Sequence, residues 1–184
     1  MNGLLAAAAE LQRFLRQSDQ HFCFIGGIAL QRWGEPRATR DVDITLLCPF
    51  GAEERIIDHV LSEFGSRIEG AREFAKRNRV LLIRGAEGVP IDVALGGIPF
   101  EERCVARASE FDFGPVRLLT CSAEDLIVLK AFAGRPRDWA DVETVIIRQR
   151  ARLDWKQLFE ELEPLAALGE SPETLERLRR LKDA

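Results

Sequence analysis

Residues 22–46 restrict what this chain can fold into more than any other stretch: F-C-F-I-G-G-I-A-L-Q-R-W-G-E-P-R-A-T-R-D-V-D-I-T-L. The first apolar run, residues 22–25, suits a short buried strand. Gly26-Gly27 ends it, and residues 28–33 are rich in helix formers, so a helix is expected just after the glycines. Gly34, Pro36, Arg37 and Arg40 predict a loop, and residues 42–47 a second strand closed by Pro49 and Gly51. The reading is therefore strand, turn, helix, loop, strand, with two carboxylates, Asp41 and Asp43, at the second strand.

Side chains one residue apart on a strand share a face, so Asp41 and Asp43 are expected to project together, with Val42 and Ile44 toward the core. Two carboxylates so placed repel unless a cation or proton lies between them. A hard divalent cation such as Mg²⁺ meets that need; a solvated edge or turn meets it as well. Glycine admits close approach of backbone N–H groups to an anion, and a helix N-terminus favours negative charge. Gly26-Gly27 thus suits phosphate oxygens, or is a plain tight turn. Asp92 interrupts the apolar run Ile91, Val93, Leu95 and points to the opposite face. Beside the D-V-D strand it joins an acidic cluster; elsewhere it is a solvated carboxylate on a hairpin.

The remaining elements read as a scaffold. Leu4, Leu11, Phe14 and Leu15 have helical spacing, giving an amphipathic helix over 3–17. Ile56, Ile57, Val60, Leu61 and Phe64 predict a helix over 53–64, and residues 69–76 a short helix or loop. Residues 79–84 and 91–95 read as hairpin partners around G-A-E-G-V-P, residues 100–104 as helical, and 105–108 and 116–119 as strands. Ser122 is an N-cap with Asp125 three residues on, and its helix stops at Gly134. Helices over 136–148, 153–162 and 172–181 complete the chain. The expected division is an α/β core over 1–118 and a helical portion over 119–184, packed as one body.

Bulk properties narrow the function. A net charge of −4 from 26 basic and 30 acidic residues argues against strong non-specific nucleic-acid binding, while leaving room for a local basic patch. Four cysteines without C-x-x-C spacing, and two distant histidines, argue against structural zinc; Cys23 and Cys48 read as core residues. Scattered thiols and no basic leader suit the cytoplasm, and the apolar N-terminal run is broken by Glu10, Gln12 and Arg13 before it is long enough to span a membrane.

Taken together, Gly26-Gly27, Asp41-Val42-Asp43 and Asp92 resemble the signature of the DNA polymerase beta nucleotidyltransferase superfamily. The chain resembles still more closely the minimal nucleotidyltransferases of the AbiEii toxin type, whose first motif looks like G-G-x-A-L followed by R-x-T-x-D-x-D. Here those are G-G-I-A-L at 26–30 and R-A-T-R-D-V-D at 37–43. A later D-L-x-x-x-K, then an arginine and D-x-x-D, correspond to Asp125, Leu126, Lys130, Arg135, Asp138 and Asp141. The resemblance covers residues 22–148 and implies an α+β nucleotidyltransferase fold, a small mixed β-sheet flanked by helices with a helical C-terminal portion.

The resemblance also implies a chemistry. Asp41, Asp43 and Asp92 would be catalytic and would hold Mg²⁺ in a two-metal site. Gly26 and Gly27 would cradle the β/γ-phosphates of a nucleoside triphosphate. Lys130 would meet a phosphate, or is a solvated lysine on an amphipathic helix. Asp138 would orient Lys130 or Arg135, whereas Asp141 reads as part of a charged surface face. Arg37 and Arg40 would assist with phosphate or acceptor, or offset the carboxylates, and Arg40, Lys130 and Asp138 join the expected nucleotide-binding set. The implied function is transfer of NMP from an NTP to a hydroxyl of RNA, notably tRNA, or of a protein, as the toxin of a pair with an antitoxin partner. Competing readings are an antibiotic-type small-molecule nucleotidyltransferase and an inactive nucleotide-binding or interaction module. A D-x-D glycosyltransferase needs a larger domain before the motif than the 40 residues that precede Asp41.

Overall fold

A computed structural model describes residues 2–183. Among these residues the chain forms nine α-helices and seven strands, and it divides into two compact units. The first comprises the residues up to 28 and 38–121; the second comprises 29–37 and the residues from 122 on.

All seven strands belong to the first unit: β1 (Phe22–Phe24), β2 (Val42–Leu47), β3 (Gly65–Ser66), β4 (Val80–Arg84), β5 (Pro90–Gly96), β6 (Ser109–Asp112) and β7 (Arg117–Thr120). They form one mixed sheet in the order β3-β4-β5-β2-β1-β7-β6. At its centre β2 runs parallel to β5, with Val42 opposite Ile91, Ile44 opposite Val93 and Leu46 opposite Leu95. Those six side chains are at most 1% exposed and build the core. Each buried aliphatic side chain is worth roughly 1.5–3 kcal/mol, so this pairing is strongly specified. A slip of one residue would turn Asp43 and Asp92 into the core.

Helices α1 (Asn2–Gln17), α3 (Glu53–Leu61) and α4 (Ala71–Asn78) supply Leu4, Leu11, Leu15, Ile57, Val60 and Ala75 to that same core. Gln12 of α1 completes the backbone pairing of β7: its amide donates to Arg117 O (2.7 Å) and accepts from Leu119 N (2.9 Å). Helix α5 (Pro99–Ala106) packs on β1 and β2, where Cys104 Sγ lies 3.8 Å from Cys23 Sγ. Cys23 and Cys48 are both fully buried. The expected strand over 105–108 is overturned: Val105 and Ala106 finish α5, and the strand is Ser109–Asp112. All four residues of β6 are exposed, so no alternation marks it in the sequence.

Helix α2 (Gly26–Trp33) starts at the glycines themselves rather than after them, and its residues from Ala29 on belong to the second unit. There, α6 (Ala123–Ala133) is buried on nearly every side and is packed by α7 (Pro136–Gln149), α8 (Trp155–Leu168) and α9 (Pro172–Asp183). Ser122 caps α6, its Oγ accepting from Asp125 N (3.0 Å) and donating to Asp125 Oδ2 (2.7 Å). Gly134, at φ +68°, ends it. Helix α8 starts at Trp155 rather than Leu153, because Asp154 is its N-cap and accepts from Gln157 N (3.0 Å). No helix among the described residues is long and apolar enough to cross a membrane.

Candidate active site

The parallel pairing of β2 with β5 sets Asp43 opposite Asp92. Neighbouring strands lie about 4.8 Å apart, and register partners point to the same face. The pair therefore occupies the sheet face opposite Val42, Ile44, Ile91 and Val93, and each carboxylate is half-buried.

Asp41 stands differently. Strand β2 begins at Val42, one residue after Asp41. Asp41 is exposed, and its Oδ1 accepts from Thr39 Oγ1 (2.9 Å). Two close approaches explain the glycine pair. Gly26 has φ +55°, and a Cβ there would lie 2.6 Å from Asp43 Cγ. A Cβ on Gly27 would lie 2.5 Å from Thr39 Oγ1. The first turn of α2 thus packs against the acidic motif, where its amide dipoles favour the Asp43 carboxylate.

Asp92 has a neighbour that the sequence does not announce. Arg67 Nη2 lies 2.6 Å from Asp92 Oδ1. No N–H is aimed at that oxygen, which is buried and accepts no hydrogen bond. At this separation the guanidinium places its positive charge directly against the carboxylate. Arg67 reaches Asp92 because its own N–H donates to Leu82 O (2.9 Å), and Leu82 is the β4 partner of Asp92. That is a pairing between distant segments, and nothing local to Arg67 signals it.

Among the described residues no three His, Cys, Asp or Glu side chains gather as a ready-made metal cage. Mg²⁺ does not require one, since it commonly binds through one or two carboxylates and takes water and substrate phosphate for the rest. Side-by-side carboxylates, one with a buried oxygen lacking a hydrogen bond, fit such a cation.

The second unit holds a separate charge cluster. Arg37 grips Asp141 with Nε on Oδ1 and Nη2 on Oδ2, both at 2.8 Å. Lys130 Nζ lies 2.7 Å from Asp141 Oδ2 and 3.4 Å from Asp138 Oδ1. Arg135 Nε lies 3.0 Å from Asp138 Oδ2, again without an aimed N–H. Two readings are overturned by burial: Lys130 is 6% exposed and not a solvated lysine, and Asp141 is 5% exposed and not on a surface face. Burial pushes the Asp141 carboxyl up, but hydrogen bonds from Arg37 and Lys130, with their charges, outweigh it and hold Asp141 below the usual carboxylate range. A lysine so engaged must give up two ion pairs before its ammonium meets a phosphate. Arg148 Nη1 donates to Gly34 O (2.5 Å) and Gln149 Nε2 to Trp33 O (2.7 Å), so α7 satisfies the carbonyls that α2 leaves open. Arg40, in the first unit, is exposed.

Residues 11–162 match the family described as nucleotidyl transferase AbiEii toxin, type IV TA system. Among solved structures the chain is similar to an antigenic nucleotidyltransferase-like protein from Paracoccidioides brasiliensis (15% identity, TM-score 0.57, covering 95% of this chain and 93% of that one). It is also similar to the antibiotic-resistance factor ANT(2'')-Ia (13% identity, TM-score 0.52, 94% of each chain). A third is the lincosamide antibiotic adenylyltransferase LnuA, solved with lincomycin (10% identity, TM-score 0.50, 74% of this chain and 92% of that one). At these identities the likeness establishes the fold, an α+β nucleotidyltransferase fold. No curated protein matches closely enough to count as a relative.

Proposed function

The chain belongs to the AbiEii family of nucleotidyl transferase toxins, and from that premise we propose that it moves a nucleoside monophosphate from an NTP to a hydroxyl of RNA or of a protein. The observation that carries the reading is the register of β2 on β5, which sets Asp43 beside Asp92.

In this reading Asp43 and Asp92 are the cation ligands, and Asp41 joins them by exchanging its bond to Thr39. A Mg²⁺ pair held by these carboxylates would supply charge neutralisation at the triphosphate and would acidify the attacking hydroxyl. The protein contributes mainly positioning, which is most of what nucleotidyl transfer needs. Gly26 and Gly27 let the amide end of α2 lie beside Asp43 and Thr39, where it would meet the phosphates. Arg40, exposed on the loop before β2, meets phosphate or acceptor. Lys130 and Asp138, in the second unit, are the other members of the expected nucleotide-binding set, and Lys130 would meet a phosphate only by giving up its two ion pairs. The family's type IV toxin–antitoxin context supports an antitoxin protein as partner.

The test is incubation with each labelled NTP, Mg²⁺ and total cellular RNA, followed by a search for label in RNA and protein. Label in either, lost in Asp43→Asn, is the expected result. Transfer only to an added small molecule would move the acceptor to the antibiotic class. Wild-type protein that labels nothing and shows no metal-dependent nucleotide binding would sink the enzyme reading.

A further inference from the structure

We propose that Arg67 is the resident counter-ion of Asp92 and competes with the divalent cation for that carboxylate, so that it sets the cation concentration at which the Asp43–Asp92 pair fills. The inference rests on the nucleotidyl transfer reading of that pair.

Three observations carry it. First, the Arg67 guanidinium lies 2.6 Å from Asp92 Oδ1, the oxygen that accepts no hydrogen bond. The guanidinium nitrogen therefore occupies the space in which a cation would meet that oxygen, so the two compete for it. Second, the Arg67 and Asp92 side chains are 24% and 36% exposed. The pair is thus reached from solvent at its rim, although the contacting oxygen itself is buried. Third, the Arg67 backbone is pinned by its bond to Leu82 O (2.9 Å) while its side chain is not enclosed. The arginine can leave Asp92 without unpairing β4.

A guanidinium carries its charge at every accessible pH, so the competition does not depend on protonating Arg67. Its charge acts twice against an incoming cation, by neutralising Asp92 and by direct repulsion across a few ångströms. Metal-free, the arrangement keeps two neighbouring carboxylates from repelling each other unscreened. On metal binding, Arg67 is displaced toward solvent.

The experiment is titration of the full chain with Mn²⁺, reading free ion by electron paramagnetic resonance, without nucleotide or turnover. Wild type, Arg67→Met, Arg67→Gln, Arg67→Lys and Asp43→Asn are compared, with circular dichroism to check folding. Met and Gln at position 67 are expected to tighten Mn²⁺ binding roughly fivefold, and Lys to stay within about twofold of wild type. Asp43→Asn weakens binding. Unchanged or weaker affinity in both Arg67→Met and Arg67→Gln overturns the proposal, and so does a Lys variant that tightens as much as Met. If wild type still binds Mn²⁺ through Asp43, that failure leaves the nucleotidyl transfer reading standing. Absence of Mn²⁺ binding in every protein overturns both.

Discussion

Asp43 and Asp92 face each other across two parallel strands whose opposite faces bury Ile44 against Val93. The same alternation that fills the core therefore presents a carboxylate from each strand on the other side. Neither side chain is there to stabilise the sheet, because like charges directly opposite are destabilising. Arg67 brings a positive charge to this pair, 2.6 Å from Asp92 Oδ1.

The first prediction follows. Asp43→Asn and Asp92→Asn each lower nucleotidyl transfer by at least about a hundredfold. Neither lowers the melting temperature by much, because relief of the repulsion offsets the Arg67 contact that Asp92→Asn loses and the α2 dipole contact that Asp43→Asn loses. Activity assays beside thermal denaturation check this. A variant that loses activity only as it loses its fold counts against the assignment.

Gly26 gives a second. At φ +55° an Ala costs about 1–2 kcal/mol of backbone strain, and its Cβ would also strike the Asp43 carboxylate. Gly70, at φ +64° with nothing within 4 Å of an added Cβ, carries the strain alone. Gly26→Ala and Gly70→Ala should each lose stability, but only Gly26→Ala should lose transfer. Equal activity in the two variants would mean that the contact with Asp43 does not matter.

Much of this architecture is legible in the chain. Val42, Ile44 and Leu46 alternate as a strand must, and Ser122, Asp125 and Gly134 mark both ends of α6 by local chemistry. What the chain hides is non-local. Whether Asp92 stands beside Asp43 depends on a parallel pairing between segments separated by α3, α4 and β4. Arg67 meets Asp92 only through the pairing of its segment with β4. Lys130 looks like any lysine on a helix until Asp138 and Asp141 of α7 enclose it. Asp41 lies one residue before β2, at the edge of the alternating run.

Arg79 yields a third prediction. Its Nε donates to Leu95 O (2.8 Å) and its Nη2 to Cys48 O (2.6 Å), and its guanidinium covers the Phe50 ring at 4.3 Å. These bonds tie together the far ends of β2 and β5, whose other ends carry Asp43 and Asp92. Arg79→Ala strands two carbonyls and should cost about 2–3 kcal/mol in chemical denaturation. Arg79→Lys, which retains a charge but only part of the donor fork, should fall between. A midpoint unchanged in Arg79→Ala would show that the clamp contributes nothing.

The last concerns pH. Asp141 is held below the usual carboxylate range by Arg37 and Lys130 in the folded chain, despite its burial. An unfolded aspartate titrates near about 3.9, so above that value the folded state gains the full benefit of the ionised group. The benefit is lost as pH falls through the lower folded value, because the carboxyl is then protonated in both states. Asp141→Asn leaves Lys130 and Arg37 without their shared partner and should cost about 3 kcal/mol at neutral pH. As pH falls through the lowered folded value the gap between wild type and variant should close, since protonated Asp141 resembles asparagine in charge. Urea denaturation of both proteins across that range is the measurement. A gap that stays constant from neutral pH into acid would show that the ionised carboxylate is not what braces Lys130 and Arg37.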